Sequence, residues 1–307
     1  MLQKRARSRE GGSSVAPIRL PLQQTAVFPL KAAADAENSG RHAHFPQSLP
    51  EFCKCLIWLL ELNRGTTSRF TFDPASDTAT IWSPDGNLLA FSSNRGAATN
   101  IYQKATSGGG KDELISSATG GNGQPTDWFR DGRFILYQQS GDKTAWDLWA
   151  LPLFGDRKPT PFLQTQFNES YGVFSPDGRW VAYVSDESGR SEVYVQAFPP
   201  SGGKWQISNG GGILPLWRRD GKEMFFVVPF VGRLMAVEVK TASQFEAGVP
   251  KLLFQKPLAL THGTTGSGTH YGVSADGQRF LLNLPIQEAA PSPITVVLNW
   301  TAGLKKQ

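Results

Sequence analysis

Apolar and polar positions alternate along most of this chain, and the alternation breaks at regular intervals on an Asp-Gly pair. The stretch FSPDGRWVAYVSDESGRSEVYVQAF, Phe174 to Phe198, shows the unit. Two alternating runs flank a Ser-Pro-Asp-Gly turn and a polar loop. Successive side chains on a strand point to opposite faces, so such runs predict short β-strands. The unit recurs as IWSPDGNLLAFSSNRGAATNIYQKA from Ile81 and DWFRDGRFILYQQSGDKTAWDLWAL from Asp127, and in shorter form from Leu216 and Tyr271. Its pairs are Asp85-Gly86, Asp131-Gly132, Asp177-Gly178, Asp220-Gly221 and Asp276-Gly277, spaced by 46, 46, 43 and 56 residues. An apolar residue stands three before each Asp (Trp82, Trp128, Phe174, Trp217, Val273), and another five after each Gly (Phe91, Tyr137, Tyr183, Phe226, Leu282). A period in the forties with several short strands per unit predicts propeller blades. The expected fold is all-β, a β-propeller of about five four-stranded blades, with an N-terminal blade that the repeat leaves incomplete.

The turn carries its own explanation. Pro176 presets φ at the second turn position, Asp177 hydrogen-bonds locally, and Gly178 takes the positive φ that closes the hairpin. Phe129-Arg130-Asp131-Gly132 and Arg218-Arg219-Asp220-Gly221 drop the proline and keep the last two positions. All five Asp-Gly pairs are therefore read as structural turns, not as catalytic acids. At the N-terminal end, LIWLLEL and SRFTF read as the last two strands of a blade. Two arrangements stay open: SRFTF completes the final blade, or an upstream half-blade is missing.

Composition supports strands over helices. Of 307 residues, 39% are hydrophobic and 11% aromatic, and 32 Gly and 21 Pro suit tight turns. The net charge of +5 lies mostly in residues 1–50, which hold 7 Lys/Arg against 3 Asp/Glu. A basic tail is not a basic folded face, so nucleic acid is not an expected partner class. Residues 1–50 lack the repeat and are expected to be largely disordered, with the propeller over 51–307. No apolar run is long enough for a signal peptide or a membrane span, which predicts a cytoplasmic chain by default.

The two cysteines, Cys53 and Cys55, read as strand residues, and no further ligand cluster accompanies them. TSGGGKDE around Lys111 lacks the spacing of a phosphate loop and reads as a hairpin loop. His262 and His270 bracket a Gly/Thr/Ser loop without a carboxylate, so no metal is expected. There is no Gly-x-Ser-x-Gly elbow, His-Arg-Asp or Asp-Phe-Gly. No cofactor and no catalytic residue is expected. The binding candidates lie in loops between second and third strands: Arg95, Trp146, Asp186 and Arg190, types enriched at interfaces.

The repeated Ser-Pro-Asp-Gly followed by Ala-Phe/Tyr and an Ile-Tyr or Val-Tyr strand resembles the Tol-Pal system (TolB-like) propeller repeats, relatives of WD40 repeats. RGTTSRFTFDPASDTATIWSPDG (Arg64 to Gly86), GRSEVYVQAFP and ITVVLNWTAGLKK further resemble the C-terminal propeller of certain bacterial serine/threonine protein kinases. That resemblance covers about residues 56–307. It implies a non-catalytic sensory or docking module placed outside the cytoplasmic membrane, binding a protein or small ligand at its rim or channel. In that family a kinase domain and a membrane span precede the propeller. Three other readings stand beside it: an accessory propeller of a prolyl-oligopeptidase-type hydrolase, a TolB-like envelope transport protein, or a gene fragment without function.

Overall fold

A computed structural model describes residues 2–3, 25–31, 55–61, 66–96, 98–116, 121–141, 144–241, 244–256 and 271–282. These residues contain strands and turns and no helix. Among the described residues six antiparallel sheets are present, one for each of the five Asp-Gly units and one for the incomplete N-terminal blade. Blade two is Asp77–Trp82, Leu88–Ser93, Asn100–Ala105 and Glu113–Ser116; blade three is Gly123–Trp128, Phe134–Gln139, Asp147–Pro152 and Thr160–Leu163. Blade four is Glu169–Phe174, Trp180–Ser185, Glu192–Ala197 and Lys204–Gln206. In blade five, Ile213–Trp217, Glu223–Val228 and Arg233–Lys240 pair in order, and Glu246–Ala247 and Lys251–Gln255 both pair with the third strand. The first strands of blades two to five pack side by side in that order, innermost around the axis.

The ends differ from the sequence expectation. Cys55–Glu61 and Thr66–Arg69 form a hairpin of blade one, so the strand within SRFTF does not close the final blade. Thr25–Lys31, inside the segment expected to be disordered, pairs with Cys55–Glu61 along its whole length. Leu2–Gln3 pairs with Arg279–Leu282 in blade six, beside Tyr271–Val273. Backbone pairing, rather than side-chain periodicity, defines these two strands, which is why the apolar pattern did not reveal them. The rest of residues 1–50, Cys53, the His262–His270 loop and ITVVLNW lie outside the described residues.

The apolar markers share one job. Trp128 and Tyr137 pack on Ala90, Ile101 and Ile115 of blade two. Phe174 and Tyr183 pack on Leu136, Leu148 and Phe162 of blade three, and Trp217 and Phe226 on Trp180, Ala182 and Val195 of blade four. Phe91 packs on Ile57 and Phe70 of blade one, and Val273 and Leu282, with Phe280, against Phe225 and Val227 of blade five. Each blade thus turns its markers to the blade before it. The opposite face of each second strand meets the blade after it, so Trp180–Ser185 is buried at every position. Each such large side chain contributes roughly 1.5–3 kcal/mol on burial.

All five turn glycines have positive φ, from 69° to 80°. In each turn the glycine N–H donates to the carbonyl two residues before the Asp, at 2.8–2.9 Å. The Asp Oδ1 accepts the backbone N–H two residues on, at Asn87, Arg133, Arg179, Lys222 and Gln278. Where serine opens the turn, its Oγ donates to the same carboxylate, from Ser83, Ser175 and Ser274 at 2.6, 2.6 and 2.5 Å. Arg218 takes that part in blade five, its Nε 2.7 Å from Asp220. These bonds hold the Asp85, Asp220 and Asp276 carboxyls below the usual range. The carboxylates are consumed by the turns, as the sequence predicts.

A second backbone feature lies outside that prediction. Ala79, Tyr171 and Leu214, each six before the turn Asp, have φ of 51°, 53° and 56°. Each sits at a register shift in its innermost strand, one bulge per blade. A non-glycine residue in this region costs about 1 kcal/mol or more, which the neighbouring sheets must offset. Blade three carries Pro125 at the matching place, whose ring forbids positive φ, and its register still shifts there.

Two predictions follow from this packing. A Cβ on Gly178 would lie 2.0 Å from Phe129 Cζ, whereas one on Gly132 would meet nothing within 4 Å. Both substitutions to alanine incur the backbone strain, about 1 kcal/mol. Gly178→Ala adds the steric conflict and should cost about 2–4 kcal/mol in denaturant unfolding. Phe129→Ala in the same chain should recover part of that loss, an expectation that equal midpoints for the two glycine variants would refute.

Asp127 supplies the second. Its Oδ2 accepts the Phe174 N–H at 2.7 Å across the blade boundary, and its Oδ1 accepts the Trp128 N–H at 2.9 Å. The matching positions in blades two, four and five are Ile81, Val173 and Leu216. The residue keeps some solvent contact, but its carboxylate is enclosed by protein, and desolvation pushes its pKa up to about 7 despite those bonds. From about pH 4 to pH 7 the folded chain holds a proton that the unfolded chain releases, so stability falls as pH rises. Asp127→Asn should remove that decline, and parallel pH–stability curves for the two proteins would overturn the assignment.

Candidate functional site

The ends of the second strands and the starts of the third and first strands meet on the rim opposite the Asp-Gly turns. There the backbone framework leaves side chains free to vary: the residue ten after the turn Asp is Arg95, Gly141, Glu187 or Phe230. All four loop candidates from the sequence fall on this rim. Arg95 is engaged internally: it donates to Asp77 at 3.1 Å, to Asp112 at 2.6 Å and to Ser93 Oγ at 2.8 Å. Its guanidinium also lies over Tyr102 and Phe91. Lys104 joins the group, 3.3 Å from Asp112, and donates to the Phe70 carbonyl. Asp112 belongs to the loop read as a hairpin connection, which it is: Gly108 and Gly110 there have positive φ. Asp186 accepts from the Asn168 side chain and backbone N–H. Arg190 pairs with Glu192, which also accepts from the Gly210 and Gly211 N–H groups. Trp146 is half-buried, and its carbonyl accepts the Glu169 N–H.

What the sequence reading missed is acid at the start of two innermost strands. Asp77 and Glu169 both stand eight before the turn Asp, with 0% and 2% of their surfaces exposed. Burial pushes the carboxyls of both upward. At Asp77, hydrogen bonds from Ser93, Thr71 and Arg95 oppose the shift. At Glu169 the Thr165 hydroxyl, donating to Oε1 at 2.5 Å, and the Thr165 backbone N–H oppose it, while the nearby Asp147 and Asp186 charges add to it. Neither Asp77 Oδ2 nor Glu169 Oε2 has a hydrogen-bond partner. The signal available in sequence was the recurrence of acid at that one offset.

Glu169 lines a cleft of about 170 Å³ with Leu163, Thr165, Tyr183, Glu187 and Lys204. Its mouth is exposed at Gly202, Gly203 and Lys204. Lys204 forms an ion pair with Glu187. Among the described residues no group of three or more His, Cys, Asp or Glu side chains is arranged to hold a metal ion. No helix there is long and apolar enough to cross a membrane.

Successive four-stranded antiparallel blades joined by Asp-Gly turns define a β-propeller, and its fold is TolB-like. The chain matches a protein described as a TolB from Agrobacterium tumefaciens with a TM-score of 0.56 at 20% identity, covering 67% of this chain and 76% of that one. It matches TolB from Acinetobacter baumannii with a TM-score of 0.56 at 18% identity, over 74% of this chain and 59% of that one. A puromycin-hydrolysing peptidase of Mycobacterium tuberculosis matches at 0.53 and 15% identity, over 73% of this chain and 39% of that one. No family model matches the chain, and no curated protein does. At these identities the likeness establishes fold and leaves function to the site.

The Arg95 group yields a stability prediction. Removing one partner of a buried ion pair strands the other charge, so Arg95→Met should destabilise by about 3 kcal/mol. Asp77→Asn in the same chain should restore much of it, because the stranded carboxylate goes too. A double-mutant cycle by urea unfolding tests this, and strictly additive losses would contradict the pairing.

Proposed function

We propose that this propeller is a non-catalytic binding module whose ligand-facing surface is the rim opposite the Asp-Gly turns. The observation that carries this reading is the Glu169 cleft: a buried acid with an unpartnered oxygen, on a rim whose loops vary between blades. The recurrent Asp-Gly carboxylates are engaged within their own turns, which supports reading them as structural and not catalytic. The motifs RGTTSRFTFDPASDTATIWSPDG and GRSEVYVQAFP support a finer reading, a sensory or docking region like that of bacterial serine/threonine kinases. In such a setting the propeller lies outside the cytoplasmic membrane and its partner is a protein segment or small ligand. The match to part of a peptidase supports a second reading, in which the propeller accompanies a hydrolase domain.

Purified chain should convert neither ATP nor a panel of unblocked and blocked peptides above a heat-denatured control. Turnover that survives repurification and is lost on substituting one residue of this chain would refute the non-catalytic reading. Reading the DNA upstream of Met1 in three frames separates the finer proposals. A kinase domain and membrane span encoded there support the first, and an α/β-hydrolase domain the second.

A further inference from the structure

Blades two and four share a frame in which each landmark falls at one distance from the turn Asp. The buried acid stands eight before it, Asp77 and Glu169. A serine pairs across the sheet with that acid, Ser93 and Ser185. Six and seventeen after the Asp come two stacked rings, Phe91 with Tyr102 at 6.1 Å and Tyr183 with Tyr194 at 5.9 Å. Blade two completes the frame with Arg95 ten after the Asp and Asp112 twenty-seven after. The Arg95 guanidinium lies 4.5 Å from the Tyr102 ring centre and bonds to both acids.

Blade four reverses the outer pair. Glu187 stands where Arg95 does, and Lys204 where Asp112 does. The ion pair survives, with Lys204 Nζ 5.5 Å from the Tyr194 ring centre. The buried acid does not share in it: both acids keep one unpartnered oxygen, Asp77 Oδ2 and Glu169 Oε2, but Arg95 pairs with Asp77 Oδ1, whereas among the described residues no Lys or Arg pairs with Glu169. The cleft occupies this gap, lined by Glu169, Tyr183, Glu187, Gln196 and Lys204.

We propose that the blade-four cleft binds a guanidinium group, the cation that blade two supplies to the matching place from its own Arg95. This deepens the binding reading above and rests on it. Planar guanidinium both donates to a carboxylate oxygen and stacks on an aromatic face, whereas an ammonium is a compact, strongly hydrated charge. Glu169 and Glu187 line the cleft with one cation, Lys204, which Glu187 engages, and the Asp147 and Asp186 charges lie near Glu169. At about 170 Å³ the cleft suits one side-chain head group and falls below the roughly 300–1,000 Å³ of sites for larger molecules. The group belongs to a free guanidinium compound or to an arginine of a partner segment.

The test titrates the intact chain with methylguanidinium and, in parallel, methylammonium, following Tyr183 and Tyr194 ring resonances by NMR. A dissociation constant on the order of millimolar is expected for methylguanidinium, given its few heavy atoms. Methylammonium should bind at least five times (roughly) more weakly, since it cannot stack. Glu169→Gln should weaken methylguanidinium binding by about tenfold. Glu187→Arg with Lys204→Asp rebuilds the blade-two arrangement and should abolish binding while raising the unfolding midpoint; it carries the test if Glu169→Gln misfolds. A second arm compares an arginine-containing pentapeptide with its lysine counterpart. Tighter binding of the arginine peptide than of methylguanidinium assigns the source to a partner segment, and equal binding assigns it to a free compound; both support the proposal. Equal response to the two small cations, unchanged affinity in Glu169→Gln, or no response at tens of millimolar ligand (roughly) overturns it. Those results leave the non-catalytic reading standing, because the ATP and peptide assays decide that separately.

Discussion

Burial of both faces of each blade's second strand is the interaction on which the remaining structure depends. Val181 and Tyr183 face blade three, while Trp180, Ala182 and Val184 face blade five, so blade four reaches a solvent-excluded state only between two neighbours. The same holds along the series, from Phe91 on blade one to Phe280 on blade five. Stability is therefore shared across interfaces and not held within single sheets, as in other repeat architectures. The strained bulges at Ala79, Tyr171 and Leu214 persist on this basis, since packed neighbours on either side fix the innermost strands.

The two ends of the blades have opposite chemical characters. At one end each Asp is answered locally by a backbone N–H, and by Ser or Arg, and its charge is satisfied before any partner arrives. Even there the blades interlock, with Gly178 against Phe129 and Gly277 against Arg218. At the other end, acids sit at strand starts beneath the surface, and their surroundings differ from blade to blade. Blade two answers Asp77 with Arg95, stacked on Tyr102. Blade four meets Glu169 with the hydroxyl and backbone N–H of Thr165 and with further carboxylates, and with no cation among the described residues. A fold that repeats its framework while varying one rim concentrates recognition on that rim.

Much of the fold was legible because its causes are local. Strand alternation, the positive φ of Gly86 through Gly277, and the apolar markers are each properties of a few adjacent residues. Their recurrence then implied blades, since only stacking neighbours can cover such strands on both faces. The rim loops holding Arg95, Trp146, Asp186 and Arg190 were likewise placed by strand order alone. The N-terminal strands were not legible. Thr25–Lys31 and Leu2–Gln3 are defined by backbone bonds to segments distant in sequence, and nothing periodic marks them.

The sequence by itself determined the repeat, the turns and the all-β class, because Asp-Gly chemistry and period-two burial act over a few residues. Tertiary structure decided which acids are buried and which of them meet a cation. Asp77 and Glu169 occupy one repeat position and differ little in chemistry. Yet one is bound by a guanidinium eighteen residues away and the other faces a cleft. That difference arises from an exchange of charge between the second-to-third-strand loop and the entry to the outermost strand, Arg95 with Asp112 against Glu187 with Lys204. Desolvation and ion pairing depend on what surrounds a group in space, so they are set only when the strands come together.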